Sequence, residues 1–248
     1  MRSKIAALIA LAAGPAFAQD IGQDTGWSYK TTAFLWLPDT RIGIDTSFGE
    51  VNGELEIGDA IKALDFAFMG SFEANRGKWS LIGDLVYFDL SAADPTPLGA
   101  LFDSADVATQ ITALTAIAAY RVYETDKFAL DLGGGFRAMS ANTDVSLITA
   151  GLPPSTSSAS DEWVDPIIAM RGRYDFSQKW FGSFYLDGGG FGVGSEQTYQ
   201  AAVGVGYNLN DQWSLLGGWR YLDFERENNG HTLDFRQSGI LLGASYRF

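Results

Sequence analysis

Several short segments of the chain alternate apolar and polar residues with a period of two. In residues 79–87 the odd positions are aromatic, leucine or glycine, whereas the even positions include Ser80 and Asp84. Residues 213–221 and 240–248 repeat this pattern, with an arginine on the more polar face of each. A period of two is that of a β-strand, whose side chains point alternately to opposite faces. The pattern therefore predicts strands that each have one continuous apolar face.

Four short polar turns divide the chain, and each is followed at once by an aromatic residue. The turns are residues 75–78, 124–127, 175–179 and 208–212. Four such turns, with a free strand at each end of the chain, predict ten strands. Eight or twelve strands stay open, because Thr40–Ile57 is compatible with an extra hairpin in the wall or in a loop. The predicted strands are residues 28–37, 65–75, 79–90, 107–122, 128–140, 163–174, 180–190, 197–207, 213–224 and 234–248.

The longer connections between these strands are predicted to be loops. They cover residues 38–64, 91–106 and 141–162, and the segment 151–158 is rich in proline and serine, which predicts a mobile turn. Residues 59–64 are predicted to form a short helix. Pro166 interrupts a predicted strand, because proline cannot donate to the ladder, and it predicts a bulge or a position near the outer rim.

The first residues have the composition of a secretory signal peptide. Arg2 and Lys4 precede an apolar run, and Ala16-Phe17-Ala18 has the small residues of a cleavage site. The apolar run is shorter than the roughly 20 residues that a membrane-spanning helix needs. We predict cleavage after Ala18, which makes residues 1–18 the signal peptide and residues 19–248 the mature domain.

Aromatic residues gathered around every short turn are typical of one surface of a membrane. Trp and Tyr collect at the interface because one part of the ring is apolar and another hydrogen-bonds. A soluble β-meander also has turn-flanking aromatics, but the signal peptide and the aromatic end of the chain favour a membrane. We therefore predict an all-β, antiparallel, transmembrane up-and-down β-barrel in the cell outer membrane, with short periplasmic turns and longer outer loops. The predicted aromatic belt is Trp79, Tyr120, Phe128, Tyr174, Trp180, Tyr207, Trp213, Tyr246 and Phe248.

Charged residues inside the predicted strands indicate which face is turned to the lumen. A lipid-facing Arg or Lys at mid-depth costs about 2–4 kcal/mol. The charged set contains nearly equal numbers of acids and arginines, which predicts ion pairs that fill a narrow lumen; a wet, charge-lined pore is the alternative. Glycines on the same face, among them Gly135 and Gly206, are predicted to leave room for the arginines. The predicted lumen set is Glu73, Asp84, Arg121, Asp131, Arg137, Asp165, Arg171, Arg173, Asp187, Arg220 and Arg247.

Composition narrows the function further. The chain has 17 basic and 30 acidic residues, a net charge of −13, which argues against nucleic acid as a partner. It has no cysteine, so disulfides, thiol catalysis and thiolate metal sites are excluded.

Five segments of the chain resemble a widespread family of small bacterial outer-membrane β-barrel proteins. They are spread over most of the mature chain in the same order as in that family. The resemblance implies an integral barrel that is embedded in outer-membrane lipids and inserted by the barrel-assembly machinery. It implies no established substrate. The segments are residues 65–90, 162–175, 189–195, 218–224 and 243–248.

Candidate chemistry is sparse. His231 is the only histidine, and Asp234 and Ser238 follow it, so a lipid-acting enzyme centred on His231 stays an alternative. The glycine-rich segment 188–194 opens no predicted helix and is interpreted as wall and turn rather than as a nucleotide site. We predict a non-enzymatic barrel, structural or surface-interacting, without a cofactor or a metal site. A small passive, porin-like channel for small solutes is the first alternative, and the surface ligand stays open.

Overall fold

A computed structural model describes residues 26–46, 49–94, 104–148, 155–228 and 231–248. The predicted signal peptide and its cleavage site lie outside the described residues. The described part of the chain forms eleven strands and one short helix. Their bounds are β1 Trp27–Thr46, β2 Gly49–Leu55, α1 Ile57–Ala63, β3 Leu64–Arg76, β4 Trp79–Asp94, β5 Ser104–Glu124, β6 Phe128–Ile148, β7 Ser155–Asp175, β8 Trp180–Gly190, β9 Gln197–Asn208, β10 Trp213–Asn228 and β11 His231–Arg247.

Ten of the strands form a closed barrel, as the sequence predicts. From β3 to β11 each strand pairs antiparallel with the next strand in the chain. The barrel closes because β1 pairs with β11 on one edge, from Lys30↔Arg247 to Asp45↔Thr232, and with β3 on the other. Closure pairs the two edges of the sheet along most of their length, which matters in lipid, where an unpaired backbone group costs several kcal/mol. The eleventh strand, β2, forms a hairpin with the far half of β1 and has no other partner within the described residues.

The four short turns lie together at one end of the barrel, here called the turn end, and three of them share one device. The backbone N–H of the aromatic residue after the turn donates to a side-chain oxygen three residues earlier. Phe128 donates to Thr125 over 3.0 Å, and Trp180 donates to Ser177 over 3.0 Å. Trp213 donates to Asn210 over 2.7 Å. Ser, Thr and Asn favour such local bonds, which explains why these residues recur there.

At the opposite end, here called the loop end, much of what the sequence predicts as loop is β-structure. Each of β5, β6 and β7 is 21 residues long, about twice the 9–11 residues needed for one crossing. The predicted mobile turn is strand from Ser155 onward, whereas residues 149–154 lie outside the described part. The hairpins therefore continue beyond the bilayer, where parts of their length, such as residues 155–162 of β7, lack the apolar face of the membrane segment.

Two further predictions concern the loop-end region. The helix predicted at 59–64 is observed as α1, and Thr40–Ile57 is divided between β1, β2 and the start of α1. Pro166 causes no bulge, because it pairs in register with Phe136 of β6. The pairing of β7 with β8 begins one residue later, at Ile167↔Gly189, so no donor is needed from Pro166 on that edge. None of the described helices is both long and apolar enough to cross a membrane.

Alternation divides the side chains between the outer surface and the lumen. The lumen at the loop end is filled by apolar side chains, here called the apolar cluster, which are less than a tenth exposed. The outward-facing surface carries exposed apolar residues, including Leu81, Leu215 and Leu242. The apolar cluster is Trp36, Met69, Val86, Phe88, Ala113, Met139, Trp163, Leu222, Phe224, Phe235 and Leu241.

Candidate functional site in the barrel lumen

Inward-facing positions recur at every second residue of the strands that surround the lumen. Charged side chains gather in the lumen because they stand at such positions. Those near the turn end form one group, here called the turn-side cluster: Lys30, Glu73, Arg121, Asp131 and Arg171. Arg171 bridges two carboxylates, at 2.8 Å from Glu73 and 2.8 Å from Asp131. Lys30 lies 2.6 Å from Glu73, and Arg121 pairs with Asp131. Each carboxylate thus has two cations, which compensates part of the cost of burying it.

A second group, the central cluster, lies further from the turn end and consists of Asp84, Arg137, Asp187, Gln200 and Arg220. The side chain of Arg137 is only 1% exposed, and its Nη2 lies 2.6 Å from Asp187 Oδ2. Arg220 Nη2 donates to Asp84 over 2.8 Å and to Gln200 over 2.9 Å. Arg137 also donates to Gln200, over 3.2 Å, so the amide oxygen joins the two ion pairs.

Neutral residues supply further hydrogen bonds to the central cluster. Arg137 Nη1 donates to Thr198 over 2.8 Å, and its Nε donates to Thr115 over 3.3 Å. The hydroxyl of Tyr185 donates to Asp187 over 2.6 Å. Arg137 therefore contacts side chains of β5, β8 and β9 from its own strand, β6. Two cations face two carboxylates, so the central cluster has no net charge.

Three residues of the predicted lumen set are placed differently from the two clusters. Asp165 accepts bonds from the Ser195 N–H at 2.6 Å, the Ser195 hydroxyl at 2.8 Å and the Trp163 indole at 3.1 Å. It therefore fixes the β8–β9 connection, and no ion pair to it is found among the described residues. Arg173 pairs with its neighbour Asp175 at 2.8 Å, and Arg247 is exposed.

Sequence reasoning missed several members of these networks. Lys30 has the same parity as Trp36 on β1 and pairs in register with Glu73, so alternation alone was enough to find it. Arg226 forms a two-pronged ion pair with Asp161, at 2.7 and 2.9 Å, beyond the predicted ends of β7 and β10. That pair was hidden because residues 141–162 were assigned to a loop. Gln200 carries no charge and offered no signal.

The lumen glycines serve a different purpose from the one predicted. A Cβ at Gly135 would lie 1.9 Å from the backbone oxygen of Ala116, and one at Gly206 would lie 2.0 Å from the Phe181 ring. These positions are small because the neighbouring strand or ring approaches them, so the prediction that they make room for arginines is wrong there.

Aromatic residues at the turn end contact one another across the strands. Trp79 meets Tyr120 at 5.0 Å between ring centroids, and Trp180 meets Tyr207 at 4.8 Å. Trp213 meets Tyr246 at 4.9 Å, and Tyr246 stacks on Phe248 at 5.8 Å. Phe128 lies 6.2 Å from Tyr123, and Tyr174 lies 5.3 Å from Phe176. Tyr29 continues this row past the closing strand, because it lies 5.7 Å from Phe248.

A lumen cavity and a single histidine are the features that bear on catalysis. A cavity of about 340 Å³ lies in the lumen, lined by members of both clusters, such as Arg171 and Arg220, and by apolar residues. In the ranges that the structure covers, no group of three or more His, Asp or Glu side chains is placed to hold a metal ion. The backbone of His231 pairs with that of Asn228 at the loop-end tip of the β10–β11 hairpin. Arg220 of the central cluster pairs with Gly239, nearer the turn end of the same hairpin.

Comparison with known proteins agrees with this architecture. The family described as outer membrane protein beta-barrel domain matches residues 5–248. No curated protein sequence matches the chain. Among solved structures, the outer membrane protease OmpT from Escherichia coli is similar, with a TM-score of 0.56 at 9% identity over 90% of this chain and 97% of that one. Ail of Yersinia pestis has a TM-score of 0.37 at 13% identity over 90% and 99% of the two chains.

Proposed function

This chain belongs to the outer membrane protein beta-barrel domain family, and from that premise we propose that it is a non-enzymatic barrel whose lumen is closed to solutes. It lies in the cell outer membrane, with membrane lipids around its apolar surface. Its proposed role is structural or surface-interacting, carried by the hairpins that continue beyond the loop-end side of the bilayer. The proposal includes insertion by the barrel-assembly machinery and removal of residues 1–18.

One observation carries the proposal: in each of the two clusters, a side chain reaches across the lumen rather than along its wall. Arg220 of β10 contacts Asp84 of β4, although β3, β1 and β11 lie between these strands on the shorter path around the barrel. Arg171 of β7 contacts Glu73 of β3 in the same way, with three strands between them. Bonds of this kind occupy the cross-section that a solute would need.

Burial makes a third ion pair, that of Arg137 and Asp187 in the central cluster, difficult to open. The side chains of Arg137 and Asp187 are almost completely buried. Separating one partner from such a pair leaves an uncompensated charge and costs about 3–5 kcal/mol. The apolar cluster adds a second closed layer on the loop-end side, where an ion would lose its hydration without gaining a partner. A barrel of ten strands is also narrower than the 16–18-stranded porins that hold water-filled channels.

The experiment that tests the closed lumen is a liposome-swelling assay with small neutral sugars. We expect vesicles that contain the purified barrel to swell no faster than protein-free vesicles, while a porin of known permeability serves as the positive control. Swelling that increases with the amount of barrel would overturn the proposal and support the alternative of a passive channel for small solutes.

The absence of catalysis is part of the proposal and needs its own test. The similarity to OmpT, a protease, is a similarity of fold at 9% identity. His231 supports the remaining alternative, a lipid-acting enzyme, only through its neighbours in sequence. We expect cells that carry His231→Ala to have an unchanged lipid A and phospholipid composition by mass spectrometry. A change that the wild-type gene reverses would contradict the non-enzymatic proposal.

A further inference from the structure

The wall of the barrel is interrupted between β1 and β3. Pairing of these strands ends at Ala33↔Gly70, and pairing of β1 with β2 begins only at Thr40↔Leu55. Residues 34–39 of β1 and 64–69 of β3 flank this gap and are here called the seam. Along the seam β1 has no ladder partner on that edge among the described residues, although its other edge pairs with β11 without a break.

Local chemistry accommodates the missing ladder. The backbone N–H of Trp36 donates to the thioether sulfur of Met69 over 3.1 Å, rather than to a carbonyl of β3. Pro38 has the same parity as Trp36, so its nitrogen faces the same edge, and proline has no donor to leave unpaired there. An unpaired backbone group in lipid costs several kcal/mol. The Met69 acceptor and Pro38 avoid part of this cost, so the gap is accommodated by the local sequence.

A cavity of about 290 Å³ passes through the seam. Its lining includes outward-facing residues such as Leu37, side chains of α1 such as Ala60 and Ile61, and lumen residues such as Phe88 and Phe235. Residues from both faces of the wall thus line one cavity, which borders the apolar cluster at Phe88 and Phe235. Glu54 is the one charged residue of this lining in the described part of the chain. The volume is at the lower end of the range for small-ligand sites, about 300–1,000 Å³.

The seam lies in the half of the membrane segment that is nearer the loop end. β1 begins at the aromatic row beside Tyr29 and reaches the seam five residues later. Phe68 on the β3 side and Leu35 on the β1 side are 47% and 43% exposed, as lipid-facing residues are. Leu35 also lines the cavity, so the cavity adjoins the lipid-facing surface of the wall at this depth.

Two buried donors near the Trp36 ring have no partner in the described part of the chain, and one of them, on Trp36, lines the cavity. Trp36 lines the cavity and is 1% exposed, yet its indole Nε1 has no hydrogen-bond partner in the described ranges. The same holds for Nε of Arg220, whose guanidinium lies 5.0 Å from the centre of the Trp36 ring. A buried indole N–H usually has an acceptor, so the Trp36 donor points to an oxygen that a ligand supplies.

We propose that the seam cavity binds a fatty acid that enters from the outer leaflet. The hydrocarbon chain lies among the apolar side chains of β1, α1 and β3, and the carboxylate accepts a bond from Trp36 Nε1. Each methylene that leaves the bilayer for the cavity exchanges one apolar environment for another, so the head-group bond provides the selectivity. This inference goes beyond the closed lumen and does not rest on it, because the cavity adjoins the lipid-facing surface of the wall.

Photolabelling in bilayers tests the proposal. The probe is palmitic acid that carries a diazirine near its methyl end, added to the full-length barrel in phosphatidylcholine vesicles. We expect saturable labelling that maps to peptides of the seam and α1 and that excess palmitic acid prevents. Labelling that rises linearly with probe and spreads evenly over the lipid-facing strands would overturn the proposal.

Matched variants separate the cavity from the general lipid surface. Ala60→Phe places a ring in the cavity and should abolish saturable labelling, whereas Lys62→Phe adds the same ring at an exposed position of α1 that does not line it. Trp36→Phe keeps the ring but removes the donor to the carboxylate, and should weaken binding about ten- to a hundredfold. Trp219→Phe is the control on the lipid face, where the indole already bonds to Ser238. Equal labelling of Ala60→Phe and wild type would contradict the proposal, and heat-modifiability gels confirm that each variant is folded.

Discussion

The two halves of the lumen are filled by opposite chemistry, and the change occurs within single strands. On β6 the step from Arg137 to Met139 passes from the central cluster to the apolar cluster, and on β10 the step from Arg220 to Leu222 does the same. The polar half depends on particular partners at 2.6–2.9 Å, whereas the apolar half depends only on volume. We infer that the polar half fixes how strands face one another and that the apolar half closes the barrel and adjoins the seam.

The largest expected effect comes from leaving one charge of the central cluster alone. Arg137→Met removes the cation beside Asp187 and should lower the free energy of unfolding by about 3–5 kcal/mol. Urea unfolding of the barrel in phospholipid vesicles measures it. The matched control is the double variant Arg137→Met/Asp187→Leu, which should recover much of the loss because no charge is left unpaired. A double variant that is less stable than Arg137→Met would contradict this interpretation of the polar half.

A smaller effect is expected two residues along the same strand, in the apolar cluster. Met139→Ala leaves a cavity and should cost about 2–4 kcal/mol, from lost burial and incomplete relaxation around it. Met139 carries no charge, so no second substitution can restore stability by charge balance. Combining Met139→Ala with Leu222→Ala should therefore lower the free energy of unfolding further. Recovery of stability in that double variant, measured by the same urea unfolding, would show that the two halves do not differ as described.

The smallest effect is expected from an ion pair outside the lumen. Arg236 lies 2.8 Å from Asp223 near the loop end, and its side chain is 55% exposed. Arg236→Ala should change the free energy of unfolding by less than about 1 kcal/mol, because water and salt screen the pair. The comparison with Arg137→Met, made at low and high salt, isolates the effect of burial. A loss as large as that of Arg137→Met would mean that burial does not distinguish the two pairs.

The membrane part of the fold was predictable because lipid imposes a simple rule on it. Alternation in segments such as 79–87, and short turns followed by aromatics, predict ten strands, and the structure has ten in its closed wall. Beyond the bilayer that rule lapses. Residues 155–162 are polar on both faces, so nothing in their pattern separates a projecting strand of β7 from a loop.

The partners in the lumen were harder to predict than its membership. Parity shows that Arg220 and Asp84 face inward, but which strands meet across the lumen depends on the stagger of the whole barrel. Asp165 illustrates the limit: it faces inward, yet its partner is Ser195 in a short connection whose path no periodic pattern describes. The seam could not be predicted either, because no periodic pattern shows where the pairing of two strands ends. Pro38 is the one residue of the sequence that indicates it.

Single-channel recording in planar bilayers tests the closed lumen most directly, because one open barrel suffices to give a signal. The account predicts no steady current steps from the purified barrel at high salt, under conditions in which a porin control opens. Steady, ion-selective openings whose selectivity changes in Asp84→Asn would contradict it, because ions would then be passing the central cluster.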